Sequence, residues 1–159
     1  MSELFNNFST LIIFLHIISA IIWVGGMIVI RFAVHYSMQN IEEPKIKLAR
    51  TLENLKRFFS MVIPSIILLL ITAVIMILAL QLKGTELYKF VIVKELIWTI
   101  MTIIFIVIYM KRNKAQKAFD NGDFATAKNQ LAPLAQYLIP TNIFLGLVAI
   151  ILGITLRGF

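Results

Sequence analysis

Apolar residues fall into four long blocks along the chain, at about 10–30, 58–82, 90–110 and 134–156, and the polar residues inside them recur with a helical period. About 20 helical residues cross roughly 30 Å of hydrocarbon, and each block reaches that length. The pattern predicts an all-α integral membrane protein, an antiparallel four-helix transmembrane bundle with residues 1–159 forming one transmembrane domain. The two longest connections, after the first and third blocks, have only about 25 residues each, too few for an independent core. In "KRNKAQKAFDNGDFATAKNQLAPLAQYL" the reading is a helical extension of the third span, a break at Asp120-Asn121-Gly122-Asp123 and a short amphipathic piece before Pro133 and Pro140. The segment ahead of the first block has no Lys or Arg, and the block is longer than a signal-peptide core, so it reads as a permanent span.

Lipid tails are as apolar as leucine, so small and polar residues mark the faces where helices meet. The helical period lines up His16, Ser19, Ala20, Trp23 and Met27 in the first span, and Met61, Ser65, Thr72 and Met76 in the second. The third span has two adjoining stripes, Lys94–Trp98–Met101 and Glu95–Thr99–Thr102, and the fourth has Asn142, Gly146, Ala149 and Gly153. Inward stripes on four spans are what a bundle uses to build sites from facing side chains. Gly25 and Gly26 serve packing or a local bend.

Composition agrees with a lipid environment: 60% of the 159 residues are hydrophobic and 14% charged, and the mean hydropathy is +0.90, well above a soluble domain. The net charge of +7 is unevenly spread. Arg31, Lys45, Lys47, Arg50, Lys56 and Arg57 follow the first span, and Lys111, Arg112, Lys114, Lys117 and Lys128 follow the third. The excess of cations in cytoplasmic loops then puts both termini outside the cytoplasm, in a bacterial-type inner (cytoplasmic) membrane. These cations flank spans and are not interleaved with exposed aromatics, so no nucleic-acid partner is implied. There is no cysteine, hence no disulfide framework and no thiolate ligand. No phosphate-binding glycine loop, His-Glu-x-x-His or Ser–His–Asp set appears, and hydrolase and ATPase functions have no support.

With that orientation His16, Met76, Lys94 and Glu95 fall in one layer near the outer face, each ~6–9 Å inside its span. An ionisable residue within a span costs several kcal/mol unless it meets a partner or water, so this layer is the candidate site. Lys94 and Glu95 are its candidate catalytic, proton-handling groups, and His16 and Met76 its candidate metal ligands. Trp23 and Trp98 share the inward stripes of His16 and Lys94, and Gly153 with Ala149 leaves room for a flat macrocycle, so these join the candidate cofactor-binding residues. His35 is 19 residues past His16, ~28 Å along one helix, and reads as a headgroup-level residue beside Arg31.

"LHIISAIIWVGG" resembles the first span of CopD-like copper-resistance membrane proteins, and "RFFSMVIPSIILLLITAVIMI" and "LYKFVIVKELIWTIMTIIFIVIYMKR" look like the next two spans, over about residues 11–112. The chain is also similar to HemJ-like membrane protoporphyrinogen oxidases in its first-span histidine, the arginine near the end of that span and the third-span lysine. By that resemblance His16, Arg31 and Lys94 are the corresponding residues and His16 is a haem ligand. The resemblances imply two functions. One is a membrane oxidoreductase binding b-type haem through His16, with Met76 or a second subunit's histidine as a further ligand, exchanging electrons with quinone or a porphyrinogen. The other is copper handling along His16, Met76 and Met101, since imidazole and thioether suit cuprous ion. A third reading is a non-catalytic membrane assembly partner, with Ala149 and Gly153 as a helix contact in a homodimer or larger complex.

Overall fold

A computed structural model describes residues 2–81 and 83–157. Within them four helices are long and apolar enough to cross a membrane: α1, Asn7–Gln39; α2, Pro44–Ala79; α3, Tyr88–Asp120; and α4, Phe124–Leu156. No strand occurs among the described residues. Helical turns from Ser2 lead into α1, with one non-helical residue at Phe8 (φ −126°, ψ 21°). At 33 or 36 residues each helix is about 50 Å long, well beyond the predicted spans.

That excess is the main departure from the sequence pattern. The predicted loop after the first span is mostly helix, because α1 runs to Gln39 and α2 starts at Pro44, a residue preset for the first helical turn. The exposed pairs Arg50–Glu53 (3.0 Å) and Arg57–Glu53 (2.8 Å) sit at helical spacing on this extension. The third connection is the turn at Asn121-Gly122, where Gly122 takes φ 79°. Asp123 then caps α4, accepting the Thr126 backbone N–H at 2.9 Å. Hydropathy marks only the lipid-length part of a helix; its charged extensions are invisible to that signal. The predicted end of the second span, Leu82, lies outside the described residues.

Both α1 and α4 contain widened π-helical turns, at Ile21–Gly25 and Ile30–Val34 in α1 and at Leu134–Leu138 in α4. The last of these lies between Pro133 and Pro140, each of which lacks a backbone donor, so α4 passes through both prolines by widening.

The helices close a bundle in which α1 packs on α2, α3 on α4, α2 on α3 and α4 back on α1. Its core is built from Trp23 and Met27 of α1, Leu52, Phe58, Phe59 and Val62 of α2, Met101, Phe105 and Ile108 of α3, and Leu134, Ile139 and Ile143 of α4. Phe105 stands edge-on to both Trp23 (centroids 6.3 Å) and Phe59 (5.3 Å), the favoured aromatic geometry. Outward positions such as Phe14, Ile17, Ile67, Ile103, Phe144 and Ile151 are exposed and apolar, a surface compatible with contact with lipid. The core is thick from the bundle's middle to the Leu52 end. Toward the other end, Thr72 is the last buried residue of α2, and Val91 is the only buried residue of α3 before Ile97.

Candidate functional site

The thinly packed end holds His16. Its imidazole Nδ1 lies 2.9 Å from Thr72 Oγ1 on α2, across 56 residues of sequence. Thr72 is only 2% exposed, and its hydroxyl also contacts the backbone carbonyls of Leu68 (2.7 Å) and Leu69 (3.1 Å). A hydroxyl has one hydrogen and accepts through its lone pairs. The two carbonyls can only accept, so they claim that hydrogen and the hydroxyl oxygen accepts from His16 Nδ1–H. In the neutral ring this leaves Nε2 as the bare nitrogen. Nε2 has no hydrogen-bond partner among the described residues and is not one of the fully enclosed unpartnered atoms, so it retains access to space outside the packed core.

Lys94 comes from α3 to the same end. A Cβ built on Gly153 would stand 2.9 Å from Lys94 Nζ. Glycine at 153 therefore makes room for the ammonium group. This changes the expected role of Gly153, since the space beside it is taken by Lys94 and a flat macrocycle could enter there only if Lys94 moved. Ala149 packs against the core, so the small-residue stripe of α4 is used within this chain.

Met76 is four residues past Thr72, hence on the same face of α2 one turn further out. His16, Met76, Lys94 and Gly153 all lie on inward stripes yet stay half-buried. Met61, expected on the inward stripe of α2, is instead 56% exposed, and Val62, Ser65, Leu69 and Thr72 form that face. Glu95 is exposed and does not join His16, because α3 turns the Lys94–Trp98–Met101 stripe inward and carries its neighbour away. Among the described residues Lys94 has no carboxylate partner; the third ion pair, Lys89–Glu86 at 2.7 Å, lies on exposed surface.

Trp98, one turn past Lys94, is half-buried, and its Nε1 is enclosed with no partner among the described residues. Trp23 is 1% exposed and its Nε1 is likewise unpartnered, but its ring belongs to the central core. Arg31 is 15 residues beyond His16 on α1, about 22 Å along the axis, and so belongs to the opposite end. Among the described residues no group of three or more His, Cys, Asp or Glu is placed to hold a metal.

Two buried polar residues were not among the sequence candidates. Arg112, expected among loop cations, is only 8% exposed and donates from Nη2 to the Leu52 carbonyl and to Gln116 Oε1, both at 2.9 Å. Its signal was the stripe Met101–Phe105–Ile108–Arg112–Ala115, which continues the buried face of α3 past the apolar block. Asn142 was placed on an inward stripe without a role. It is fully buried and donates from Nδ2 to the Met101 carbonyl at 3.3 Å, and its Oδ1 has no partner among the described residues.

Comparison with known proteins adds no family to this picture: no family model, no curated protein and no solved structure matches the chain.

Proposed function

We propose that the chain is a multi-pass membrane redox protein that binds b-type haem through His16 Nε2. The observation that carries this reading is the Thr72 hydroxyl, which orients the imidazole through Nδ1 and leaves Nε2 bare. Histidine ligands of metals almost always donate their other N–H to such an acceptor, which sets the tautomer and the ring plane. The half-buried inward faces around His16 support it, since a macrocycle needs a ligand that is oriented but not sealed over. A haem held there supplies one-electron exchange with a partner such as a quinone or a porphyrinogen.

The chain's own residues have definable parts in this reading. Thr72 fixes the imidazole. Lys94, a cation without a carboxylate partner among the described residues, is placed to pair with an anionic group of a ligand, a propionate for example. The Trp98 indole N–H offers a further donor one turn deeper. Exposed Glu95 takes no part in holding the group.

The topology belongs to the same proposal. The four helices cross the membrane antiparallel, with both termini on the outer side of a bacterial-type inner membrane, and the basic extensions of α1, α2 and α3 lie in the cytoplasm. His16 then lies near the outer face.

Copper handling is the second reading, favoured by Met76 one turn beyond Thr72 on the same face, which gives cuprous ion an imidazole and a thioether.

Titration of haemin into the detergent-purified protein, followed at the Soret band, tests the proposal through Thr72→Val. This variant keeps the shape of residue 72 and removes the acceptor for Nδ1–H. Haem affinity is expected to fall about 10- to 100-fold with the fold intact. Unchanged haem affinity in Thr72→Val would count against the orienting role, and cuprous binding without haem binding would favour the copper reading.

A further inference from the structure

At the end of the bundle away from His16, α1, α2 and α4 line an open-sided cavity of about 50 Å³. Ile30, Arg31 and Val34 line it from α1, Leu55 from α2, and Leu134 and Ala135 from α4. Two of the three π-helical turns, Ile30–Val34 and Leu134–Leu138, therefore face one another across it. A π turn widens a helix at the cost of regular hydrogen bonding and is frequent at functional sites.

Arg31 gives the cavity its chemistry. Its Nε and Nη1 are enclosed and have no hydrogen-bond partner among the described residues, while Nη2, equally unpartnered but not enclosed, is the donor within a ligand's reach, and none of the ion pairs involves Arg31. The rings of Phe32 and Tyr36, with centroids 5.5 and 5.7 Å from the guanidinium carbon, attract the cation but offer its N–H groups no oxygen. Enclosed donors on a charged group are costly to leave unpaired. His35 lines the same cavity. Lys47 donates to Gln39 Oε1 (2.9 Å), so the Gln39 amide N–H₂ faces His35 Nε2 (3.2 Å) and donates to it, leaving Nδ1–H as that ring's donor. The remaining lining is mostly apolar. An anionic oxygen would satisfy Arg31, and an apolar body would suit the walls.

We propose that this cavity binds an anionic amphiphile, with the phosphate oxygen of an acidic phospholipid on Arg31 and its acyl portion against the apolar wall of α1 and α4. Basic pockets between membrane helices at the cytoplasmic side bind such headgroups. The site is separate from His16 and does not depend on haem.

Thermal unfolding of the full chain, reconstituted in nanodiscs of phosphatidylcholine with or without phosphatidylglycerol, tests this. Phosphatidylglycerol is expected to raise the wild-type Tm by about 5 °C. Arg31→Gln should lose that rise. Lys128→Gln, the same charge change at an exposed position, should keep it. Ala135→Phe fills the cavity while retaining Arg31 and should also lose the rise, which keeps the test decisive if Arg31→Gln does not fold. Inorganic phosphate added to phosphatidylcholine discs should leave Tm unchanged. A rise that survives in Arg31→Gln or Ala135→Phe, or one that inorganic phosphate alone reproduces, overturns the proposal.

Discussion

His16→Ala is expected to abolish the proposed b-type haem binding while leaving the bundle folded, and His35→Ala to retain a wild-type Soret band. The asymmetry follows from place. His16 is half-buried at the thinly packed end, so truncating it removes a ligand without opening the central core around Trp23, Phe59 and Phe105. No second imidazole can take over, because the chain has two histidines and His35 stands ~28 Å further along α1. Met76, the thioether candidate on the Thr72 face of α2, offers a softer and weaker donor in isolation. Haemin titration of both variants, with circular dichroism on the same samples, checks this. A Soret band kept in His16→Ala and lost in His35→Ala would move the site to the other end of the molecule.

Gly26→Ala destabilises the bundle by about 1–3 kcal/mol, while Gly25→Ala is neutral or stabilises it by up to about 1 kcal/mol. The two glycines are adjacent, but only one is pressed against a neighbour. A Cβ on Gly26 would lie 2.5 Å from Phe58 Cε2 and 3.3 Å from Cδ2. The Phe58 ring is 5% exposed and packed beside Phe59, centroids 6.0 Å apart, so it cannot move without displacing the core. A Cβ on Gly25 would meet only Ile21 Cγ2, at 3.9 Å, an ordinary contact, and alanine favours the helix over glycine. Denaturant unfolding in detergent separates the two. Equal effects for both variants would mean that the close α1–α2 approach at Phe58 does not exist.

How far this was legible in the sequence depended on which physical signal each feature leaves. The four apolar blocks report where helices can meet lipid, and each has its long helix in the structure, the second outrunning α2, which ends at Ala79. The end of the first was not legible, because the charged stretch after it, read as a connection, is mostly helix; after the third block the helical extension and the break near Asn121-Gly122 were read as they stand. The pairing of His16 with Thr72 was half-visible: both stood on inward stripes, but no pattern within one span says which residue of another span it will touch. Lys94 and Glu95 show the limit of periodicity. Adjacent residues differ by 100° on a helix, and two plausible stripes gave no choice between them. Packing of α3 made it, turning Lys94 toward Gly153 and Glu95 outward. Arg112 was hidden by its charge, which fits a cytoplasmic flank as well as a buried clamp onto the Leu52 carbonyl. The unpaired guanidinium of Arg31 and the π turn at Ile30–Val34 leave no sequence signature, whereas Pro133 and Pro140 mark the place of the π turn at Leu134–Leu138.

The most direct test of the central claim is a reduced-minus-oxidised visible spectrum of the protein as purified in detergent, with metal analysis of the same sample. The account predicts a b-type Soret and α band and iron in proportion to the absorbance. A colourless preparation that also fails to take up added haemin, with or without bound copper, would contradict it.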